Sequence, residues 1–286
     1  MIAVVLLTHN RVHLLRQCVE NVLARTSELT REIVVWNNAS SDGTRAYLDS
    51  LDDARLRVVH SPENLAMNAL PRAIRLTGAP YLVELDDDVV DAPDRWDATL
   101  LDAFERMPDV GWLGGSIAYD PSDAASRYLH YLREQVGAYA EDEIDGLRIL
   151  RGPVGGACTM TSRELHDRVG GFREHRRHMY WRPDIPYRRA IAKLGYDSAF
   201  LVDLEVRHRG GAGHSEPPRP KLEYHTHELI SRARKDRVKR VLLAIPPMAA
   251  LNRRYRWFDA PLPAYDPEEY DPESQAGSAN PPSRAT

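Results

Sequence analysis

The amino-acid sequence predicts an α/β fold in which a mostly parallel central sheet is flanked by helices. Apolar segments typical of buried strands lie at 2–7, 32–36, 56–59 and 81–85, and the segments between them carry apolar residues at helical spacing. Strands that alternate with helices favour a parallel sheet with helices on both faces. Ligands of such sheets bind at the carboxyl ends of the strands. Polar clusters follow three of these strands: Thr8-His9-Asn10-Arg11, Asn37-Asn38 and Asp86-Asp87-Asp88.

The second half of the chain has a less regular pattern. Strands are predicted at 112–117, 155–161, 199–202 and 205–208, the first two with glycines at or near their starts. A helix is predicted at 184–194. No internal repeat is found, so a repeat architecture is not expected.

A proline-rich run at 217–220 predicts a domain boundary. We expect a main domain of residues 1–215 and a helical C-terminal extension of residues 216–265, in which charged and apolar residues alternate at helical spacing. The last segment, residues 266–286, is rich in Pro, Ser, Asp and Glu and is expected to be disordered.

The composition excludes several classes of protein. With 38 basic and 42 acidic residues the net charge is -4, which gives no reason to expect nucleic-acid binding. Basic clusters at 173–182 and 232–240 are interpreted as solvated surface, with a phosphate-rich partner as the alternative. Cys18 and Cys158 lack metal-ligand spacing and predict no disulfide framework. No signal peptide is recognised and the apolar segment 241–251 is too short to cross a bilayer, so a cytoplasmic location is expected.

Three consecutive carboxylates, Asp86, Asp87 and Asp88, are the strongest functional signal. Carboxylates at the end of a buried strand repel one another, whereas a divalent cation relieves this repulsion and can bridge the oxygens of a diphosphate. The alternative is a polar loop that caps the next helix. Because the triplet follows an apolar strand in a topology typical of nucleotide-binding proteins, we favour a metal site.

Six segments of the chain, taken in order, carry a resemblance to a known family. They are VVLLTHNR, VVWNNASSDGT, ENLAMNALPRAIRLTGAPYLVELDDDV, GGACTMTSRELHDRVGGFRE, DIPYRRAIAKLGY and VRHRGG. Over residues 2–211 the sequence resembles the inverting family 2 of glycosyltransferases with the GT-A fold, a Rossmann-like α/β fold. The resemblance implies transfer of a sugar from a nucleoside-diphosphate sugar to an acceptor hydroxyl with inversion, with Mn²⁺ or Mg²⁺ as cofactor.

The resemblance also implies roles for individual residues. Asp88 would bind the metal, and His208 would be a further metal ligand, since imidazole can join carboxylates in such a site. The alternative for His208 is an ordinary surface histidine. Ten residues would bind the donor: Thr8, His9, Asn10, Arg11, Asn37, Asn38, Asn64, Arg72, Asp86 and Asp87.

The acceptor side of the site has its own candidates. Asp184 matches the position of the catalytic base, which takes the proton of the attacking hydroxyl. Its alternative is a helix N-cap, and Glu174 is the reserve candidate for the base. Three residues would line the acceptor site, with a core position or a tight strand entry as the alternative: Gly155, Gly156 and Trp181.

The sequence departs from the family pattern in places that matter. Asn37 stands where the family usually has Asp, so the base preference can differ from uracil. Pro183 and Pro186 replace two acidic residues around Asp184, which makes the start of this helix stiffer and less acidic. The approach to the acidic triplet is also shortened at 66–71.

Two other functions are consistent with the same residues. A nucleotidyltransferase would share the nucleotide site and the carboxylate-held metal but would release pyrophosphate. A non-catalytic relative would bind a nucleotide sugar or glycan without consuming it. The sequence leaves open the acceptor (glycan, lipid-linked molecule, natural product or protein) and the oligomeric state.

Overall fold

In the computed structural model, which describes residues 1–134, 137–175, 182–210, 235, 237–239 and 241–255, ten strands form one sheet. Their order across the sheet is β3-β2-β1-β4-β9-β6-β10-β8-β7, and β5 pairs with β10. The strands are β1 (Ile2–Thr8), β2 (Thr30–Asn37), β3 (Leu56–His60), β4 (Tyr81–Asp86), β5 (Val89–Asp91), β6 (Val110–Ile117), β7 (Ala140–Ile144), β8 (Leu147–Arg151), β9 (Cys158–Ser162) and β10 (Asp197–His208).

Helices cover both faces of the sheet, as the sequence predicts. Apolar side chains of α1, α2 and α4 form one buried cluster against the sheet, and those of α3, α6 and α7 form another against the opposite face. The helices are α1 (Val12–Arg25), α2 (Thr44–Asp49), α3 (Ala69–Ile74), α4 (Trp96–Arg106), α5 (Ala124–Glu134), α6 (Arg163–Arg168), α7 (Asp184–Lys193) and α8 (Pro246–Tyr255), with a 3₁₀ turn at Ala66–Asn68.

Parallel pairing dominates only the first half of the sheet. Strands β3, β2, β1 and β4 are parallel neighbours, whereas β9 runs antiparallel between β4 and β6. Beyond them, β6 and β10 pair in parallel and β8 and β7 continue antiparallel. Because β9 runs against β4, the loop that enters β9 lies at the same edge as the residues that leave β4.

Several predictions of local structure need correction. The two strands expected at 199–202 and 205–208 are one continuous strand, β10, with a shift of register on β6 between Leu201 and Glu205. Strands β5, β7 and β8 and helices α4 and α5 have no counterpart among the sequence predictions.

The C-terminal predictions are covered only in part. Of the predicted extension 216–265, residues 216–234, 236, 240 and 256–265 lie outside the described residues, as does the whole tail 266–286. Pro246 and Pro247 lie within the apolar segment 241–251 and begin α8. Backbone N–H groups in the first turn of a helix have no partner within the helix, so proline is tolerated there. Within the described ranges, no helix is both long enough and apolar enough to cross a membrane.

Asp97 fixes α4 to the loop before β2. Its side chain is fully buried and accepts hydrogen bonds from the Ser27 backbone N–H, the Ser27 hydroxyl and the Thr30 hydroxyl, at 2.8, 2.8 and 2.7 Å. A buried carboxylate is tolerated because three donors compensate its lost hydration.

We therefore expect Asp97→Ala to lower the free energy of unfolding by about 3 kcal/mol, since it strands three buried donors. Urea unfolding at neutral pH measures this loss. The matched control is Asp102→Ala on the same helix, where an exposed carboxylate pairs with Arg106 and the expected change is below about 1 kcal/mol. Equal losses in the two variants would contradict the assignment.

Candidate active site at the carboxyl edge of β1, β2 and β4

Two loops at this edge are tied together by side chains of the first polar cluster. Asn10, in the left-handed conformation at φ 54°, accepts a hydrogen bond from Ser41 N at 2.7 Å. Its own N–H donates to the Ser40 hydroxyl at 2.9 Å. Asp42 accepts from Val12 N at 2.9 Å, so a residue of the second loop caps α1. The loops after β1 and β2 therefore form one wall.

The acidic triplet does not precede a helix. Asp86 ends β4, and the turn at Asp87 and Asp88 leads into β5, so the alternative of a helix-capping loop is wrong. Asp87 and Asp88 are 5% and 4% exposed. The Arg11 Nη1 donates to Asp87 Oδ1 at 3.1 Å and to Asp88 Oδ2 at 2.8 Å. Burial raises the pKa of Asp87 to about 7, although Arg11 opposes this shift.

Strand pairing brings His208 to the triplet from more than a hundred residues away. The short strand β5 pairs antiparallel with the end of β10 and places His208 opposite Val89. Arg209 N also donates to the Asp88 carbonyl at 2.8 Å. Gly210 packs on the imidazole, where a Cβ would lie 2.4 Å from Cε1, so a side chain there would displace the ring.

His208 lies among carboxylates and is only 6% exposed, which excludes the alternative of a surface histidine. Its Nε2 is 3.0 Å from Asp88 Oδ1 and 3.8 Å from Asp86 Oδ2, and its Nδ1 is 3.0 Å from Asp123 Oδ2. Burial alone lowers the pKa of His208, but contacts with Asp123, Asp86 and Asp88 outweigh it and raise the pKa to about 12. Burial disfavours ionised Asp88, yet His208 and Arg11 keep its pKa below the usual value.

The residues present fit a divalent cation. Asp86, Asp88 and His208 each offer one ligand atom, and these atoms lie within 4.8 Å of one another. Asp88 Oδ1 is buried, and despite its short distance to His208 no well-aligned hydrogen bond from the described residues reaches it. Carboxylate and imidazole are ligands suited to Mn²⁺. The cluster therefore offers a site with an unsatisfied anionic oxygen.

The side chains of Asn37 and Asn38, two of the predicted donor-binding residues, make hydrogen bonds within the protein. The Asn38 side chain donates to the Ala66 carbonyl at 3.1 Å and accepts from Leu65 N at 2.9 Å. Asn37 accepts from Ser40 N at 3.0 Å and contacts His60 Nδ1 at 3.0 Å. Both asparagines are buried, so their side-chain amides hold the loops in place.

Other donor candidates on these loops range from buried to partly buried. His9 is partly buried and its Nδ1 contacts the Asn38 carbonyl at 2.8 Å. The Thr8 hydroxyl is buried beside Asp87, yet no well-aligned hydrogen bond from the described residues reaches it. Asn64 accepts from Ala66 N at 2.8 Å and shapes the turn before the 3₁₀ segment.

Arg72 and the reserve base Glu174 form an ion pair with each other. Arg72 Nη2 is 2.8 Å from Glu174 Oε2, and Arg75 Nη2 is 3.0 Å from Oε1. Hydrogen bonds from Arg72 hold the pKa of Glu174 below its usual value, with Arg75 adding to the effect. A carboxylate shared by two guanidinium groups is a poor proton acceptor, so this geometry disfavours Glu174 as a base.

Asp184 occupies the first turn of α7, but its side chain does not cap that helix. The N-cap residue is Pro183, and no side chain caps the helix start. The Asp184 carboxylate is instead 3.1 Å from Arg182 Nη2. The helix-cap alternative for this residue is therefore wrong.

An unpredicted carboxylate, Glu84, lies against Gly156 in the loop that enters β9 and interacts electrostatically with Asp184. A Cβ on Gly156 would lie 2.7 Å from Glu84 Oε1, whereas one on Gly155 would meet nothing within 4 Å. Burial raises the pKa of Glu84 well above its usual value, and the negative charges of Asp86 and Asp184 add to this. Gly156 thus lies next to Glu84, close to the acidic triplet. Trp181, the third predicted acceptor residue, lies outside the described residues.

Three site residues were missed by the sequence predictions: Glu84, His60 and Asp123. Glu84 carries a readable signal, because it is a charged residue inside the apolar strand β4. His60 carries none, since its contacts to Asn37 and Asp49 arise from strand pairing and loop packing. Asp123 also has no signal beyond a common helix-start residue.

The family of the chain follows from a comparison of its sequence with family models. The model described as Glycosyl transferase family 2 matches residues 3–170, more than half of the chain. The chain belongs to glycosyltransferase family 2. The uncharacterized protein y4gI of Sinorhizobium fredii (strain NBRC 101917 / NGR234) is 25% identical over 244 residues, which cover 78% of this chain and 26% of the relative. The chain thus spans about a quarter of the length of that relative.

Solved structures share the fold, and two of those described below carry glycosyltransferase names. Mannosyltransferase PcManGT from Pyrobaculum calidifontis, in complex with GDP-Man and Mn²⁺, has a TM-score of 0.52 at 24% identity, covering 82% of this chain and 60% of its own. GalNAc-T7 with UDP, GalNAc and Mn²⁺ has a TM-score of 0.55 at 16% identity, covering 78% and 46%. A mycobacterial protein has a TM-score of 0.51 at 18% identity, covering 74% and 68%. These likenesses confirm the predicted GT-A type of α/β fold.

The contact between Gly156 and Glu84 can be tested on the family 2 chain itself. We expect Gly156→Ala to lower the free energy of unfolding by about 1 kcal/mol, because the added methyl group must displace the carboxyl group at the end of the half-buried Glu84 side chain. Gly155→Ala, the matched control, should change it by less than about 0.5 kcal/mol.

A mutant cycle isolates this contact. In a Glu84→Ala background, Gly156→Ala should lower the free energy of unfolding much less, since the carboxyl group that it would displace is absent. Urea unfolding of the four proteins gives the coupling free energy. A cost of Gly156→Ala that is the same in both backgrounds would show that Glu84 is not its neighbour.

Proposed function

We propose that this family 2 chain transfers a sugar from a nucleoside-diphosphate sugar to an acceptor hydroxyl, with inversion at the anomeric carbon and dependence on Mn²⁺ or Mg²⁺. The observation that carries the proposal is the meeting of Asp86, Asp88 and His208 at one strand end, with a buried oxygen of Asp88 lacking a well-aligned hydrogen bond among the described residues. Family membership and the Mn²⁺ and nucleotide-sugar complexes of the structural neighbours support it.

Asp88 and His208 would hold the cation, with Asp86 as a further ligand beside the ribose. When bound there, Mn²⁺ or Mg²⁺ would offset the negative charge that develops on the leaving nucleoside diphosphate. Arg11 already balances Asp87 and Asp88, and its guanidinium is about one-fifth exposed, so it can reach a phosphate at the same edge. With the cation bound, the metal ion and the Arg11 guanidinium would lie together where a diphosphate would bind.

The donor base and ribose would lie along the wall formed by the loops after β1 and β2. Thr8, His9 and Asn10 border this wall, and Asn37 and Asn38 hold its shape through their buried amides. Asn64 and Arg72 would contact the nucleotide from the segment around α3. Because the neighbours bind GDP-Man or UDP with GalNAc, both donors are suitable first probes.

Asp184 would act as the base on the acceptor side. Its side chain is about one-sixth exposed and is held by Arg182 rather than by its own helix, so a carboxylate oxygen can face an incoming hydroxyl. Gly155, where a Cβ would meet nothing within 4 Å, would leave space for the acceptor, and Gly156 would line the same side through its contact with Glu84. Attack from this side, opposite the leaving diphosphate, inverts the anomeric configuration.

We expect Asp88→Asn to abolish Mn²⁺-stimulated turnover, because it removes the anionic ligand while keeping the shape of the side chain. Release of nucleoside diphosphate from GDP-mannose and UDP-GalNAc, with and without Mn²⁺, measures this. The matched control is Asp94→Asn, which should retain wild-type turnover. Asp94 is an exposed carboxylate between β5 and α4.

The products separate this function from its rivals. Release of pyrophosphate by the wild-type chain would indicate nucleotidyl transfer instead. Undiminished Mn²⁺-stimulated turnover in Asp88→Asn would contradict the metal assignment. A thermal shift with Mn²⁺ and donor but no consumption across a broad acceptor panel would favour a binding protein.

For the base, we expect Asp184→Asn to lower kcat by about 10²–10⁴-fold, because the amide cannot accept the acceptor proton. The Kd of the donor should stay close to the wild-type value, since Asp184 is proposed to face the acceptor. Turnover and isothermal titration measure the two quantities. The opposite pattern, full kcat in Asp184→Asn and a large loss in Glu174→Gln, would make Glu174 the base.

A further inference from the structure

The imidazole of His208, which would bind the cation through one nitrogen, contacts the carboxylate of Asp123 through the other. Asp123 lies directly before α5 and is 1% exposed. Its Oδ2 accepts a hydrogen bond from Ser126 N at 3.0 Å, the geometry of a helix N-cap, and the same oxygen lies 3.0 Å from His208 Nδ1. One carboxylate oxygen therefore joins the start of α5 to the imidazole.

The hydrogen on His208 Nδ1 can be assigned from its neighbours. Gly210 N also lies 3.1 Å from Nδ1, but one ring nitrogen cannot both accept from Gly210 and donate to Asp123. A buried carboxylate that lost its donor would be costly, whereas Gly210 is a neutral peptide group two residues along the same chain. Nδ1 therefore carries the hydrogen and donates it to Asp123.

This assignment determines what the other ring nitrogen can do. Nε2 lies 3.0 Å from Asp88 Oδ1 and 3.8 Å from Asp86 Oδ2. A cation bound between Asp86, Asp88 and His208 would displace the Nε2 proton to solvent, and the ring, with its hydrogen kept on Nδ1, would then offer the Nε2 lone pair to the cation. Rotation of the ring about its long axis would break the Asp123 contact.

We propose that Asp123 is a positioning residue, which fixes the orientation and tautomer of His208 so that Nε2 can bind the cation held by Asp86 and Asp88. The inference rests on the proposed metal-dependent function and deepens it. Carboxylate partners of metal-bound histidines typically change metal affinity by about 10–100-fold when removed. Asp123 would act only through His208, because its carboxylate is on the far side of the ring from Asp86 and Asp88.

The experiment separates this role from simple helix capping. Asp123→Ser keeps a good N-cap group but is too short to reach His208 as well. Asp123→Asn keeps one oxygen for both contacts, loses the charge and replaces the other oxygen by an NH₂ group. The control is Asp120→Asn, whose carboxylate accepts from Ser122 in the turn just before α5. The Kd for Mn²⁺ is measured on the full chain by electron paramagnetic resonance of the free ion, with thermal unfolding as a check of the fold.

We expect Asp123→Ser to weaken Mn²⁺ binding by about 10–100-fold, with a cooperative unfolding transition at a lower Tm because the buried contact with His208 is lost. Asp123→Asn should give a smaller loss, and Asp120→Asn should match the wild type. A wild-type Kd in both Asp123 variants, alongside a large loss in Asp88→Asn, would overturn the role of Asp123 and leave the metal site intact. If the wild-type chain binds no Mn²⁺, even with nucleoside diphosphate added, the positioning role and the metal-dependent function both fall.

If Asp123→Ser does not fold, Asp123→Asn decides the question by itself. Its uncharged oxygen polarises the Nδ1–H group less than a carboxylate does, so a measurable loss of Mn²⁺ affinity is still expected. A Kd within error of the wild type would then overturn the proposal.

Discussion

Charge compensation at the end of β4 is the constraint on which the rest of the site depends. Two unit charges 4 Å apart interact by about 4 kcal/mol at the effective dielectric constant near a protein surface, so adjacent carboxylates repel strongly. Here Asp87 and Asp88 are buried with Asp86 beside them, and Arg11 and His208 are the cations that contact them in the described ranges. The three carboxylates can lie together at the end of β4 only because these cationic side chains reduce their mutual repulsion.

The compensating groups come from both ends of the fold. Arg11 follows β1, the parallel neighbour of β4, whereas His208 ends β10 and reaches the triplet only because β5 turns back to pair with that strand. The cluster therefore holds the first and last strands of the domain at one edge. A metal ion bound there would interact with the same carboxylates and with His208. Residues of the proposed metal site therefore also contribute to the contacts that hold these strands together.

Reversal of one strand divides the edge into two sides. The parallel strands β3, β2, β1 and β4 present the loops of a nucleotide site, as in other α/β proteins. The antiparallel strand β9 brings its entry loop to the same edge, and Asp86 N donates to the Ala157 carbonyl at 2.9 Å. Gly156, Glu84 and Asp184 consequently lie next to the acidic triplet, on the side proposed for the acceptor.

The sequence by itself determined the α/β class, the helices on both faces and the acidic corner, because hydrophobic periodicity and polar residues after strands are local signals. It also identified Asp86, Asp88 and His208 as candidates through the family resemblance. Only the tertiary structure decided that β9 runs antiparallel and that 199–208 is one strand. It also decided that the side-chain amides of Asn37 and Asn38 form hydrogen bonds within the loops, and that Glu84 and Asp123 lie at the site. These depend on pairing between distant strands and on which side chains share a buried volume, and neither leaves a periodic trace in the chain.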